Sequence, residues 1–168
     1  VADADGIIEH VPHLRRYARA LTGDIALAED LVQDTIERGW KRMALWRPGS
    51  NLRAWLFTIM HNLYVNQLKA GQRRSNLSSA HHALDVPASS PQDHQLDLID
   101  LNRALQRLPY EQREVVLLIG LEQMSYIEAA KVLGVPVGTV MSRLSRGREQ
   151  LRTMINRASA PAQLKVIK

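Results

Sequence analysis

A chain of 168 residues, 45% of them hydrophobic, is long enough to bury one large core or two small ones. Its net charge of +5 favours a polyanionic partner, while the absence of cysteine excludes a disulfide framework and any thiolate-held zinc. No apolar run approaches the roughly 18 residues that span a bilayer, and the acidic start Val1-Ala2-Asp3-Ala4-Asp5-Gly6 lacks the pattern of a signal peptide, so a soluble cytoplasmic protein without membrane insertion is expected.

From the N-terminus, Ile7, Ile8, Val11, Leu14, Tyr17, Ala18 and Leu21 recur at helical spacing and predict a first helix. A second is expected from about Asp24 to Leu45, ended by Arg47-Pro48-Gly49-Ser50. Along it Asp30, Asp34, Glu37 and Lys41 line one stripe, with Gln33 beside them. An acidic stripe in a basic chain does not suit DNA phosphates. It fits either a basic protein surface, where complementary charge sets register, or a solvated face balanced by Arg38, Lys41 and Arg42.

A third helix is expected from about Leu52 to Ala70, apolar on more than one side. Leu52, Trp55, Leu56, Ile59 and Leu63 form one face, with Phe57, His61, Tyr64, Val65 and Leu68 broadly opposite. Such a helix is either buried in a bundle or offers aromatics for stacking on unpaired bases. Asn62 and Asn66 can hydrogen-bond base edges, and Lys69, Arg73 and Arg74 add positive charge.

Residues 1–74 hold 11 Lys/Arg and 8 Asp/Glu, residues 96–168 hold 11 and 7, and residues 75–95 hold no Lys or Arg and two Asp. The middle stretch, rich in Ser, Ala, His and Pro, reads as a flexible linker between a helical domain over 1–74 and another over 96–168. In the latter, helices are expected at about 91–108, 110–121, 125–133 and 137–156, broken by Pro109, Gly120 and Gly134. With no strand alternation of useful length and no internal repeat, the fold is all-α: two small helical domains on a flexible linker.

The segment Ser125 to Leu151 is the most specific. Ser125 and Glu128 form a capping box, Gly134 can close the helix they start, and Pro136 forbids its simple continuation. A second helix then places Val137, Val140, Leu144, Gly147, Leu151 and Ile155 on one side and Thr139, Ser142, Arg143, Arg146 and Glu149 on the other. Arg148 lies close to the apolar edge. This is a helix-turn-helix pattern, whose second helix enters the DNA major groove, although an amphipathic surface helix with a solvated basic face has the same spacing.

Taken together, these residues resemble an extracytoplasmic-function sigma factor, the small two-domain class of bacterial transcription initiation factor. Ala28-Glu29-Asp30-Leu31-Val32-Gln33-Asp34-Thr35 looks like the segment of the first sigma domain that binds the polymerase clamp. Pro48 to Leu56 and the helix through Arg74 look like its −10 element. Leu108-Pro109, Arg113-Glu114-Val115, Ser125-Tyr126 and Gly138 to Leu144 look like the second sigma domain, which binds the −35 element.

The resemblance implies roles. Asp30, Leu31, Gln33, Asp34 and Glu37 would bind core RNA polymerase. Asn51, Asn62 and Asn66, with Lys69, Arg73 and Arg74, would meet the −10 element of promoter DNA. Ser142, Arg143 and Arg146 would read the −35 major groove, with Thr139 and Arg148 nearer phosphates. It also implies an anti-sigma factor as negative regulator. The free chain is expected to be autoinhibited or to bind DNA weakly, because its two modules are joined by a flexible tether and each alone makes few phosphate contacts.

Three positions depart from the family pattern: Met141 stands where many relatives carry a basic residue, Ile119-Gly120 lack an often-found arginine or acid, and Ile127 replaces a frequent acid. Two rival readings are a sigma-like mimic that sequesters an anti-sigma factor and a helix-turn-helix operator-binding regulator. An enzyme is not expected, and neither are a cofactor, a metal or a small-molecule substrate. His81, His82 and His94 fall in or beside the linker, His10 and His13 decorate one helix, and no phosphate loop or nucleophile motif is present.

Overall fold

The computed structural model describes residues 2–77 and 93–158. Seven α-helices are found among them: α1 (Ala2–Thr22), α2 (Ile25–Lys41), α3 (Leu52–Leu77), α4 (Asp93–Arg107), α5 (Tyr110–Gly120), α6 (Tyr126–Leu133) and α7 (Val137–Ala158). A 3-10 turn, Met43–Leu45, follows α2. The expected second helix therefore ends four residues early, while the third runs seven residues past Ala70. Of the linker read over 75–95, residues 78–92 lie outside the described residues, as do His81, His82 and the start at about residue 91 expected for the next helix.

Local chemistry sets the helix ends. Asp24, in an extended conformation, accepts a hydrogen bond from the Leu27 N–H at 2.9 Å and starts α2. Asn51 does the same for α3 through Ala54 N–H at 3.0 Å. The capping box of Ser125 and Glu128 is present in both directions, and Gly134 closes α6 with φ +64. Only a residue without Cβ takes that left-handed conformation cheaply.

Helices α1, α2 and α3 pack together, and α7 packs on α4, α5 and α6. The two halves do not stand apart. α1 lies against α4 and α5, α3 lies against α6, and the buried hydrophobic residues of both halves join in one cluster. Tyr17 meets Phe57 edge-on at 5.1 Å inside the first half, and Tyr64 meets Tyr110 edge-on at 6.2 Å across the two. Each fully buried large apolar side chain of this kind contributes about 1.5–3 kcal/mol.

Arg113 of α5 shows how the ends of helices are satisfied where the halves meet. Its guanidinium donates to the carbonyls of Leu105, Gln106 and Leu108 at the end of α4, and to that of Leu21 at the end of α1. Carbonyls at a helix end lack the usual partner one turn on, and a cation there also complements the helix dipole. Gly147 lets α7 approach α5 closely, since a Cβ there would lie 2.8 Å from the Val116 side chain.

Candidate nucleic-acid interface

Three surfaces carry the residues singled out by the sequence. On α2, Asp30, Gln33, Asp34 and Glu37 are exposed, and Glu37 pairs with Lys41 one turn on. That hydrogen bond and charge hold the Glu37 carboxyl below its ordinary range. Leu31 is different: its side chain is fully buried, so it packs in the core and not on the stripe. Its position follows from the helix period, because Ala28, Leu31, Val32 and Thr35 form the buried face.

On α3, Asn51, Asn62, Asn66, Lys69, Arg73 and Arg74 are all exposed. Asn51 is already engaged twice. Its side-chain oxygen caps α3, and its amide nitrogen donates to Glu128 Oε1 of α6 at 3.0 Å. The aromatics that could have stacked on bases are not available: Phe57 and Tyr64 are buried. A helix apolar on two sides is here a helix packed on two sides, against α1 and α2 and against α6.

On α7, Val140, Leu144, Gly147 and Leu151 face the core, as their spacing requires. Ser142, Arg146 and Arg148 are exposed, while Thr139 and Arg143 are half-buried on one flank. The Arg143 charge reaches Glu114 of α5 and helps hold that carboxylate's charge. Arg148 lies beside Leu144 in a shallow groove shared with Tyr126 and Met141, which fits a place at the apolar edge.

Both departures from the family pattern near this helix are on the surface. Met141 is 52% and Ile127 61% exposed. An exposed methionine near the start of the second helix can touch a thymine methyl but cannot neutralise a phosphate.

Sequence reasoning missed a fourth group, at the junction of the halves. Glu122 follows α5, and its side chain is wholly buried. It accepts hydrogen bonds from Arg16 Nε and Nη2, both at 3.1 Å, and from Arg53 Nη2 at 2.8 Å. His13 Nδ1 lies 3.4 Å from its other face. Arg53 also donates to the Glu122 backbone carbonyl. Nearby, His61 Nδ1 of α3 meets Glu114 Oε1 of α5 at 2.7 Å. Burial raises the Glu114 pKa, and the His61 hydrogen bond opposes it.

A signal for Glu114 existed: it shares the buried face of α5 with Leu117 and Leu118, three and four residues on. Glu122 lies past the helix end, where no periodicity speaks. Among the described residues no group of three His, Cys, Asp or Glu is arranged to hold a metal ion. No helix there is long and apolar enough to cross a membrane.

Comparison with known proteins bears on the same two halves. Residues 7–61 match the family model for the sigma2 domain of PhyR, and residues 98–151 match that for sigma-70 region 4. The ECF RNA polymerase sigma factor EcfG of Rhodopseudomonas palustris is 36% identical over 151 residues, spanning 90% of this chain and 83% of that protein. The chain belongs to the ECF sigma factors of RNA polymerase.

The sigma factor's fold is shared over most of its length with a solved relative. RpoE of Bartonella quintana, solved in complex with the anti-sigma factor NepR, superposes with a TM-score of 0.81 and is 37% identical, covering 90% of this chain and 95% of that one. A PhyR fragment of Sphingomonas sp. Fr1 in complex with NepR superposes with a TM-score of 0.65 at 18% identity, covering 94% and 91%, which shows the fold alone. The chain is thus a transcription initiation factor by family, built from a first sigma domain and a region 4 helix-turn-helix.

Proposed function

We propose that this sigma factor docks on core RNA polymerase through the exposed face of α2 and carries it to promoter DNA through α3 and α7. The observation that carries this reading is the sorting of charge. Asp30, Asp34 and Glu37 are exposed together on α2, and the exposed cations Lys69, Arg73, Arg146 and Arg148 are on α3 and α7. Acidic residues suit a basic protein surface, and the cations suit phosphates and guanine edges. Asn51, Asn62 and Asn66 would read a −10 base and its neighbours. Ser142 and Arg146 would read the −35 groove, with Arg143 swinging from its flank and Thr139 and Arg148 near phosphates.

The protein itself performs no covalent chemistry in this reading; the phosphodiester step belongs to the polymerase, and the setting is the cytoplasm. An anti-sigma factor is the expected negative regulator, in line with the NepR-bound relative. A second reading has one specific support: the first half matches the sigma2 model of PhyR, and PhyR of Bartonella quintana is an anti-anti-sigma factor. A mimic of that kind needs no DNA-reading side chains, yet Ser142 and Arg146 stand exposed on α7. An operator-binding regulator leaves the acidic stripe without a role.

Reconstitution separates the three. The chain added to core polymerase should direct initiation at promoters with a −10 and a −35 element selected from a library. A regulator would bind duplex DNA without polymerase, and a mimic would bind a negative regulator and no promoter at all.

A further inference from the structure

We infer that the groove between α6 and α7 reads a thymine of the −35 element through its C5-methyl group, with Met141 as the specificity-determining contact. The inference rests on the assignment of α7 to the −35 major groove made above. It adds to that assignment a contact that uses no hydrogen bond.

The groove has a definite composition. Tyr126 of α6 and Met141, Leu144, Ser145 and Arg148 of α7 line a concavity of about 270 Å³. Leu144 is buried in the core, while Tyr126, Met141, Ser145 and Arg148 are exposed. Along α7, Met141, Ser145, Arg148 and Arg152 follow one another at helical spacing and so share one flank, on the side of α6. That flank is graded. It begins apolar at Met141, with the exposed Val137 one turn before it, and turns cationic at Arg148 and Arg152. The other flank, with Thr139 and Arg143, is polar from its first turn.

Local structure holds both sides of the groove. The capping box of Ser125 and Glu128 fixes the turn that carries Tyr126. On α7, Val140, Leu144, Gly147 and Leu151 already complete the buried face, so the core makes no use of Met141. An apolar side chain is thus kept in water at the end of the helix that goes deepest into a duplex.

The gradient matches a major groove. The N-terminal part of a recognition helix lies nearest the base edges, and its later turns lie farther out, toward the phosphates. Of the four bases only thymine presents a methyl group there, beside the O4 acceptor. An unbranched, polarizable methionine side chain settles well against such a target. Ser145, one turn on, can donate to O4. A basic residue at position 141 would instead reach a phosphate, a contact that carries no sequence information. Met141 puts sequence-dependent contact where a cation would add only general affinity.

Deoxyuridine supplies the test, because it lacks the thymine methyl and pairs with adenine in the same way. The chain is assembled with core polymerase, and a −35 element is selected from a duplex library. Each thymine of that element, on either strand, is then replaced in turn by uracil, and binding is measured by competition. The wild type should lose about fourfold at one thymine, the effect of one buried methyl group. Met141→Ala should bind the thymine and uracil duplexes equally at that position. Met141→Lys should ignore the methyl too, accept all sequences more evenly, and steepen the log–log salt dependence by about 0.9. Both variants should keep the wild-type thermal midpoint, since the replaced side chain is exposed.

Equal binding of every uracil duplex by the wild type overturns the inference, and so does a selected element with no required thymine on either strand. A uracil penalty that survives in Met141→Ala overturns the role of Met141. A chain that selects no −35 element at all when assembled with polymerase refutes the proposed function instead, a result distinct from a selected element whose methyl groups go unread.

Discussion

The chain uses carboxylates in two opposite ways. On α2, Asp30, Asp34 and Glu37 stand in water, where a charge costs nothing to keep and is free to meet a partner. At the junction, Glu114 and Glu122 are buried, and their charge is tolerable only because His61, Arg16 and Arg53 complete it. The first set is available for recognition between molecules. The second decides how parts of one molecule sit together. The same residue type, at similar density along the chain, thus acts on association in one place and on conformation in the other.

The comparison can be broken first at its exposed side. Reversing Asp30 and Asp34 to Lys should weaken binding to core polymerase by about a thousandfold, since like charges set against a complementary surface cost several kcal/mol. The thermal midpoint should stay where it is, because neither side chain is buried. A fluorescence-anisotropy titration with core enzyme, paired with a melt, checks both halves of the statement. Unchanged affinity would remove α2 from the docking surface.

On the buried side, Glu114→Ala should cost about 3 kcal/mol of stability by stranding His61 and leaving space in the core, with core-polymerase affinity unaffected. The pH dependence has a definite sign. Burial, opposed by His61, raises the folded-state pKa of Glu114 above its unfolded value, and Arg143 and Glu111 also face it. The folded state therefore binds a proton more readily than the unfolded one. The stability this linkage contributes is fully present below the ordinary carboxylate range and is lost as pH rises through the folded value. Glu114→Gln, which stays neutral, should flatten that part of a stability-versus-pH curve measured by urea denaturation.

Much of this was legible beforehand, for physical reasons that also explain the failures. Repeating local rules announce themselves: the capping box at Ser125 and Glu128, the left-handed Gly134, the buried stripe of Val140, Leu144, Gly147 and Leu151. The acidic stripe on α2 follows from periodicity too, and so does the burial of Leu31, which periodicity alone would have kept off the docking surface. What could not be read was the junction. Arg16, Arg53, His61, Glu114 and Glu122 are scattered over more than 100 positions, and each alone passes for a solvated charge. For α3 the two apolar sides were visible, but only the packing of α6 on that helix decides between burial and stacking.

The difference between exposed and half-buried charge can be sharpened on α7. Arg146 is exposed where Arg143 is half-buried. Arg146→Ala should lower transcription from a strong promoter by roughly tenfold and relax preference at one −35 position, the loss of a bidentate guanine contact worth about 1–3 kcal/mol. Arg148→Ala should give a smaller loss spread evenly over sequences, as expected of a phosphate contact. A promoter-library selection run with both variants reads the contrast directly; a shifted base preference for Arg148→Ala and none for Arg146→Ala would invert the assignment of the two faces.

The smallest expected effect concerns a carboxylate that belongs to both sets. Glu128 is half-buried: it caps α6 and holds Asn51. The Ser125 backbone N–H and then the Ser125 hydroxyl keep its carboxyl below the ordinary range, with burial opposing and Arg53 and Asn51 assisting. Its folded pKa thus lies under its unfolded one, so its contribution is present above the ordinary glutamate range and is lost as pH falls through the folded value. Ser125→Ala, which removes the hydroxyl that accepts from the Glu128 N–H at 3.2 Å, should cost about 1 kcal/mol at neutral pH. Glu128→Gln should cost less than that and should no longer lose stability across the acid range where the wild type does. The same acidification should loosen the Asn51 contact, because a protonated carboxyl is a poorer acceptor. The cap and the Asn51 contact should then weaken over one pH interval in the wild type and over none in Glu128→Gln.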